Sequence, residues 1–127
     1  MKFPYQLFRG FYYPIIPIII IHNNNRVNTS AIVDSGASVS IFNSGIGKLI
    51  GVDIERGEKR IFQGASAKLL GYIHKVKAII SEKEIECKIA FSDELNTSFN
   101  LIGRETIFGN FTITFNEKER ELIIEPS

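Results

Sequence analysis

The sequence contains a single cysteine, Cys87, and no tryptophan among its 127 residues. One cysteine excludes an intramolecular disulfide and leaves no thiol cluster that could hold a metal ion. We therefore expect a reducing, cytoplasmic setting, and nothing in the sequence calls for a metal or another cofactor. The ten Phe and four Tyr residues favour β-strands over a helical bundle.

An excess of charge of either sign is also missing. Fifteen Lys and Arg residues balance fourteen Asp and Glu residues, which gives a formal net charge of +1. The sequence thus lacks the basic patch expected of a protein that binds nucleic acid or an anionic membrane. The apolar run from Ile15 to Ile21 is too short for a membrane span, and Pro17 interrupts it. The first residues, Met1 to Pro4, do not resemble a secretory signal.

The length fits one domain, residues 1–127, that buries one hydrophobic core. Residues 1–13 are predicted to form an aromatic N-terminal arm that packs across the outside of this domain. Many short apolar stretches follow, separated by Gly, Asn and charged turns, with at most a short helix near residues 45–51. This pattern predicts an all-β barrel or sandwich.

A β-hairpin is predicted to carry the most informative residue of the chain. Pro14 to Ile21 has the composition of a strand, and the Asn-rich segment 22–25 supplies turn residues that tolerate positive φ. The chain then returns as a second strand, Val27 to Val33, and Asp34 follows directly. Pro17 is expected on an edge strand or at a bulge, because proline has no N–H to donate.

The turn Asp34-Ser35-Gly36-Ala37 combines residues that suit a carboxylate held at a tight bend. Ser35 supplies a hydroxyl that is small enough to be buried and able to brace an opposing loop. Gly36 allows a sharp turn and a close approach to water or substrate, and Ala37 leaves room beside a bound peptide. Asp-Ser-Gly also occurs in ordinary turns, so the turn alone does not establish catalysis.

Peptide hydrolysis without a metal or a covalent intermediate needs a water held between a general base and a general acid. Two adjacent carboxyl groups supply both roles, because their repulsion prevents both from ionising at once. Neither Asp53 nor Asp93 lies in a second Asp-Ser-Gly turn. If the chemistry operates, the second carboxyl must be Asp34 of another chain, related to the first by a two-fold axis.

The segment from Ala31 to Ser38 resembles the active-site turn of the retropepsin-like aspartic proteases. Phe62 to Ala67 falls where that family has its glycine-rich flap, and Asn100 to Glu105 resembles its apolar-apolar-Gly-Arg segment. The last two strand patterns, Phe111 to Phe115 and Leu122 to Ile124, resemble the C-terminal hairpin of single-domain prokaryotic members.

The resemblance implies a closed β-barrel with one short helix and a homodimeric aspartic endopeptidase that cleaves extended peptides without a cofactor. It implies catalytic roles for Asp34, Ser35 and Gly36, and structural support from Gly103 and Arg104. Substrate contacts are implied for five further residues: Ala37, Ser38, Gly64, Ala65 and Ser66.

Two expectations concern how the site is held together. Arg104 is expected to be buried behind the turn, because a guanidinium is always charged and would bind backbone or an acidic side chain there. The C-terminal strand, Leu122 to Glu125, is expected to be an unpaired edge and therefore the dimer interface.

Several features leave alternatives open. Ser38 stands where retroviral members have an acidic residue, and the flap segment has only one glycine, Gly64. A catalytically silent peptide-binding module of the same fold remains an alternative, as does a structural β-barrel subunit of a larger assembly. The segment Gly45 to Lys48 is not a phosphate-binding loop, because Leu49 follows the lysine where that motif needs Ser or Thr.

Overall fold

The computed structural model describes residues 1–63, 68–95 and 99–127. Most of these residues lie in strands. The strands are β1 (Lys2–Pro4), β2 (Gln6–Phe8), β3 (Phe11–Tyr13), β4 (Ile15–His22), β5 (Asn25–Val33), β6 (Ser40–Asn43), β7 (Glu58–Gln63), β8 (Lys68–Ile80), β9 (Lys83–Ser92), β10 (Asn100–Ile102), β11 (Phe111–Asn116) and β12 (Glu121–Pro126). The helices in the described ranges are the α-helix α1 (Ser44–Leu49) and two 3-10 helices, Ile54–Arg56 and Phe108–Asn110.

Six strands close into a barrel in the order β4, β5, β10, β6, β9 and β8, and β4 then pairs with β8. Strand β7 extends the sheet beyond β8. Apolar side chains alternate along the barrel strands, so that one set fills the interior and contacts the rest of the core: Ile18, Ile20, Val76, Ala78, Cys87 and Ile89. This architecture confirms the predicted closed all-β barrel with one short helix. None of the helices in the described parts of the chain is long and apolar enough to cross a membrane.

The predicted hairpin forms as expected. Strands β4 and β5 pair along their whole length, and Asn23 adopts a φ of 54° at the turn between them. Pro17 pairs with Ser30 of β5, whereas β8 joins the other side of β4 only from Ile19 onward. Pro17 therefore lies on the part of β4 that pairs on one side, where its missing N–H breaks no ladder.

The last strand is not an edge. β12 lies in the middle of a second, three-stranded sheet, between β11 and the N-terminal strand β1. Phe3 pairs with Leu122 on one side, and Thr114 pairs with Ile123 on the other. Leu122 and Ile124 are 0% and 1% exposed, so β12 is a core strand. The expectation of an unpaired C-terminal edge is wrong, because the N-terminal residues of the same chain cover it.

The rest of the N-terminal arm forms a separate two-stranded hairpin, β2 and β3. Arg9 and Gly10 connect the strands with φ values of 49° and 83°. Positive φ at both central residues is the backbone of the tight turns that match the twist of a hairpin. The arm thus contains three strands, of which β1 belongs to the three-stranded sheet with β12 and β11, and β2 and β3 form their own two-stranded sheet.

Candidate active site

Strands β5 and β10 position Asp34. The two strands run parallel, with Val33 opposite Ile102. The Asp34 N–H donates to the carbonyl oxygen of Ile102 at 2.9 Å, and the N–H of Val33 donates to that of Pro14, also at 2.9 Å. Main-chain hydrogen bonds to both neighbouring strands therefore fix the end of β5, and the carboxylate leaves the barrel at a defined point.

The turn itself orients the carboxylate. The N–H of Gly36 donates to Asp34 Oδ1 at 2.9 Å, and the N–H of Ala37 donates to the Asp34 carbonyl oxygen at 3.2 Å. Asp34 is half-buried, while Ser35, Gly36 and Ser38 are exposed. One carboxylate oxygen is therefore held by the backbone, and the turn is open to a molecule arriving from solvent.

Residues 103–105 hold the turn from behind through their backbone. Gly103 donates its N–H to the buried Ser40 Oγ at 2.9 Å. Arg104 donates its N–H to the carbonyl oxygen of Ala37 at 2.9 Å, and Glu105 donates to that of Ser38 at 2.8 Å. A Cβ on Gly103 would lie 2.6 Å from the Val39 carbonyl carbon, so glycine is required for this contact. Ser40 had no sequence signal, because a serine at the start of a strand has no special pattern.

The Arg104 side chain does not have the predicted position. Arg104 is exposed, and no side chain of the described residues forms an ion pair with its guanidinium. The expectation of a buried Arg104 is therefore wrong for the single chain. The physical reason is that the main chain of residues 103–105 already makes the contacts to the turn, which leaves the side chain on the outer surface.

The other two aspartates of the chain, Asp53 and Asp93, have partners other than the Asp34 turn. Asp93 accepts a hydrogen bond from the Ser44 hydroxyl and lies 3.5 Å from Lys48 Nζ. The hydroxyl and then the lysine charge lower the pKa of Asp93 below its ordinary value. Asp53 pairs with the Nε atom of Arg56 at 3.3 Å. Neither carboxylate accompanies Asp34 within the chain.

The segment for which the sequence resemblance predicts a flap is described by the structure only up to Gln63 and from Lys68 onward. Strands β7 and β8 pair from Glu58 and Ile73 out to Gln63 and Lys68. The predicted substrate-binding residues Gly64, Ala65 and Ser66 lie outside the described residues.

Three hydrogen bonds that the sequence did not predict connect strand β8, near the β7–β8 pairing, to the end of β9 and the residues after it. The Leu70 N–H donates to Glu94 Oε1 at 2.8 Å, and the Ser92 hydroxyl donates to the Leu70 carbonyl oxygen. The Glu94 N–H in turn donates to Ser92 Oγ at 3.0 Å. These bonds tie β8 to the segment that leads toward β10.

A groove among the described residues does not include Asp34. It has a volume of about 770 Å³ and lies between the β4–β5 turn and the outer faces of β8 and β9, where Arg26, Lys75 and Lys88 line it. Ser35, Gly36 and Ser38 beside Asp34 are exposed, so the turn is accessible from solvent.

Comparison with known proteins identifies the fold. Neither the protein-family models nor the curated proteins include a match to this chain. Solved structures do: a retropepsin-like aspartic protease from Rickettsia conorii is 17% identical, with a TM-score of 0.70 over 98% of this chain and 89% of that one. EIAV protease, in complex with an inhibitor, is 16% identical, with a TM-score of 0.55 over 78% of this chain and 88% of that one. The chain therefore has the retropepsin-like fold that the sequence resemblance implied.

Proposed function

We propose that the protein is an aspartic endopeptidase that works as a homodimer, with Asp34 of each chain forming the catalytic pair. The observation that carries this proposal is the Asp34 turn. Its carboxylate is half-buried, held by the Gly36 N–H at 2.9 Å, and braced from behind by residues 103–105. The retropepsin-like fold supports the same conclusion.

The proposed mechanism uses a single water molecule. One Asp34 carboxylate is ionised and takes a proton from the water, while the other is protonated and polarises the scissile carbonyl. Ser35 would brace the opposite turn, and Gly36 and Ala37 would let the peptide approach the carboxylates. Residues 64–66 and Ser38 would contact an extended peptide, with main-chain hydrogen bonds in the manner of an added β-strand.

Incubation with a mixed peptide library from acid to neutral pH, with and without pepstatin, tests the proposal. The matched variants are Asp34→Asn and Asp53→Asn. In Asp34→Asn the amide oxygen of the new side chain can still accept from the Gly36 N–H, so the turn should persist, but an amide cannot act as a base. We expect Asp34→Asn to lower the cleavage rate by about 10²–10⁴-fold or more. Asp53→Asn, which changes an exposed aspartate paired with Arg56, should retain it.

Three results separate the proposal from its alternatives. Pepstatin-sensitive cleavage that Asp34→Asn abolishes supports the endopeptidase. Peptide binding without cleavage at any pH would indicate a silent binding module of the same fold. Neither binding nor cleavage, with full assembly of Asp34→Asn into a larger complex, would indicate a structural subunit.

A further inference from the structure

The β2–β3 hairpin, residues 6–13, exposes apolar side chains next to the Asp34 turn. Six large hydrophobic residues of the described chain are exposed, and three of them, Leu7, Phe11 and Tyr12, belong to this hairpin. Leu7 is 60% exposed and Phe11 is 67% exposed. Leu7 and Tyr12 are cross-strand partners and share one face of the hairpin, whereas Phe11 is opposite Phe8 and lies on the other face. Exposed apolar side chains gathered on one short element mark a candidate interaction surface.

The hairpin is held firmly on its own chain. On one face, Phe8 and Tyr13 contact the ring of Phe99, with centroid distances of 4.8 and 5.4 Å. On the other face, the Arg120 guanidinium lies 3.9 Å from the centre of the Tyr12 ring. Two-stranded hairpins are at best marginally stable alone in water. These attachments on both faces therefore present the hairpin in a fixed position.

The chain connection at Tyr13 and the contact with Phe99 link the hairpin to the surroundings of Asp34. Tyr13 directly precedes Pro14, whose carbonyl oxygen accepts from Val33, the residue before Asp34. Phe99 directly precedes β10, whose Ile102 carbonyl oxygen accepts from the Asp34 N–H. The apolar hairpin therefore borders the edge of the barrel at which the carboxylate emerges.

We propose that the β2–β3 hairpin is the surface through which two copies of the chain associate, an inference that rests on the proposed aspartic mechanism. That mechanism is incomplete in one chain, because a second Asp34 must reach hydrogen-bonding distance of the first. A second copy must therefore cover this edge. The C-terminal strand cannot supply an open edge for it, because β1 and β11 already flank β12.

The exposed side chains of the hairpin can supply part of the area of such an interface. From typical side-chain areas, the exposed parts of Leu7, Phe11 and Tyr12 on the two faces of the hairpin together amount to on the order of 300 Å² per chain. A stable interface buries roughly 800 Å² per partner. The hairpin would thus provide the apolar anchors at the centre, and the turn residues Ser35 and Gly36 would lie beside them.

The test introduces a charge into the hairpin and measures association directly. Phe11→Glu and Leu7→Glu are compared with Leu49→Glu, whose leucine is 73% exposed on α1. Sedimentation equilibrium gives the dimer dissociation constant of each variant, circular dichroism checks the fold, and peptide cleavage is measured in parallel. We expect the wild type to be a dimer. Both hairpin variants should raise the dissociation constant at least tenfold, while Leu49→Glu should not.

The outcomes distinguish this inference from the proposed function. A wild-type dimer that cleaves peptides, together with Phe11→Glu and Leu7→Glu dimers of unchanged affinity, overturns the interface and leaves the catalytic proposal intact. Unchanged dimers with a raised KM would mean that the hairpin binds substrate, which also overturns it. A wild-type dimer that the hairpin variants dissociate but that cleaves nothing supports the interface and counts against the endopeptidase. A monomeric wild type overturns the interface.

Discussion

Replacement of Gly103 by alanine tests the support of the turn most directly. The added Cβ would lie 2.6 Å from the Val39 carbonyl carbon, 2.7 Å from its oxygen and 2.9 Å from the Ala37 carbonyl oxygen. All three are backbone atoms, so no flexible side chain can move aside. The segment that carries these atoms also leads back to Asp34, and any relaxation must therefore shift the turn.

The expected loss of stability follows from this overpacking. Inserting a methyl group into a well-packed site costs about 1–3 kcal/mol, and contacts with backbone on several sides place Gly103→Ala near the upper end, at about 3 kcal/mol. For a chain of this length the melting temperature should fall by roughly 10 °C. At a temperature where the variant is still folded, its rate of peptide cleavage should also fall. A displacement of about 1 Å at a catalytic group lowers the reaction rate by about 10²-fold.

The measurement is urea and thermal unfolding followed by circular dichroism, at one fixed protein concentration because dimerisation would couple to unfolding. Gly109→Ala is the control, since a Cβ at Gly109 meets nothing within 4 Å. It should remain within about 0.5 kcal/mol of the wild type. A Gly103→Ala variant as stable as the Gly109→Ala control would refute the argument that the 103–105 segment braces the turn by close contact.

Two further predictions concern residues outside the turn. Burial raises the pKa of the Cys87 thiol from 9.0 to about 12, so above pH 9 the unfolded thiol ionises while the folded one stays protonated. The free energy of unfolding of the wild type should therefore fall relative to that of Cys87→Ala by up to about 1.4 kcal/mol per pH unit between pH 9 and 12. Urea titrations of both proteins at several pH values measure this difference, and the same dependence of stability on pH in both would contradict the prediction. Arg104→Ala should change the free energy of unfolding by less than about 0.5 kcal/mol, since the side chain is exposed; a loss above about 2 kcal/mol in the same titration would show that the guanidinium has a partner in the folded protein.

Local patterns were sufficient to predict the hairpin that delivers Asp34. Strands β4 and β5 are consecutive, their turn contains Asn23 in a positive φ conformation, and apolar residues of high strand propensity flank this turn. Every signal needed for this unit lies between residues 14 and 34. The predicted strands, Pro14 to Ile21 and Val27 to Val33, match the observed β4 and β5 to within two residues, and Asp34 follows β5 as predicted.

The position of β12 could not be predicted in the same way. An apolar final strand has the same pattern whether it is an edge or the centre of a sheet. Its coverage depends on pairing with Lys2–Pro4, at the opposite end of the chain. Of the first thirteen residues only Phe3 and Tyr5 are buried, so a mainly exterior arm was a fair prediction, but no local pattern marks Lys2–Pro4 as the strand that pairs with β12.

For the candidate site, the sequence predicted which residues lie near the turn but not how their side chains are oriented. The sequence pattern places Gly103 and Arg104 near the turn, but it does not say whether backbone or side chain makes the contact. The structure assigns this work to three consecutive N–H groups and to the Ser40 hydroxyl, so the guanidinium is not needed for it. The sequence of one chain also cannot contain the second carboxyl of a symmetric pair. Under the proposed mechanism a second copy would therefore have to bind at the exposed turn residues beside Asp34, and we propose that it contacts the exposed apolar side chains of the neighbouring β2–β3 hairpin.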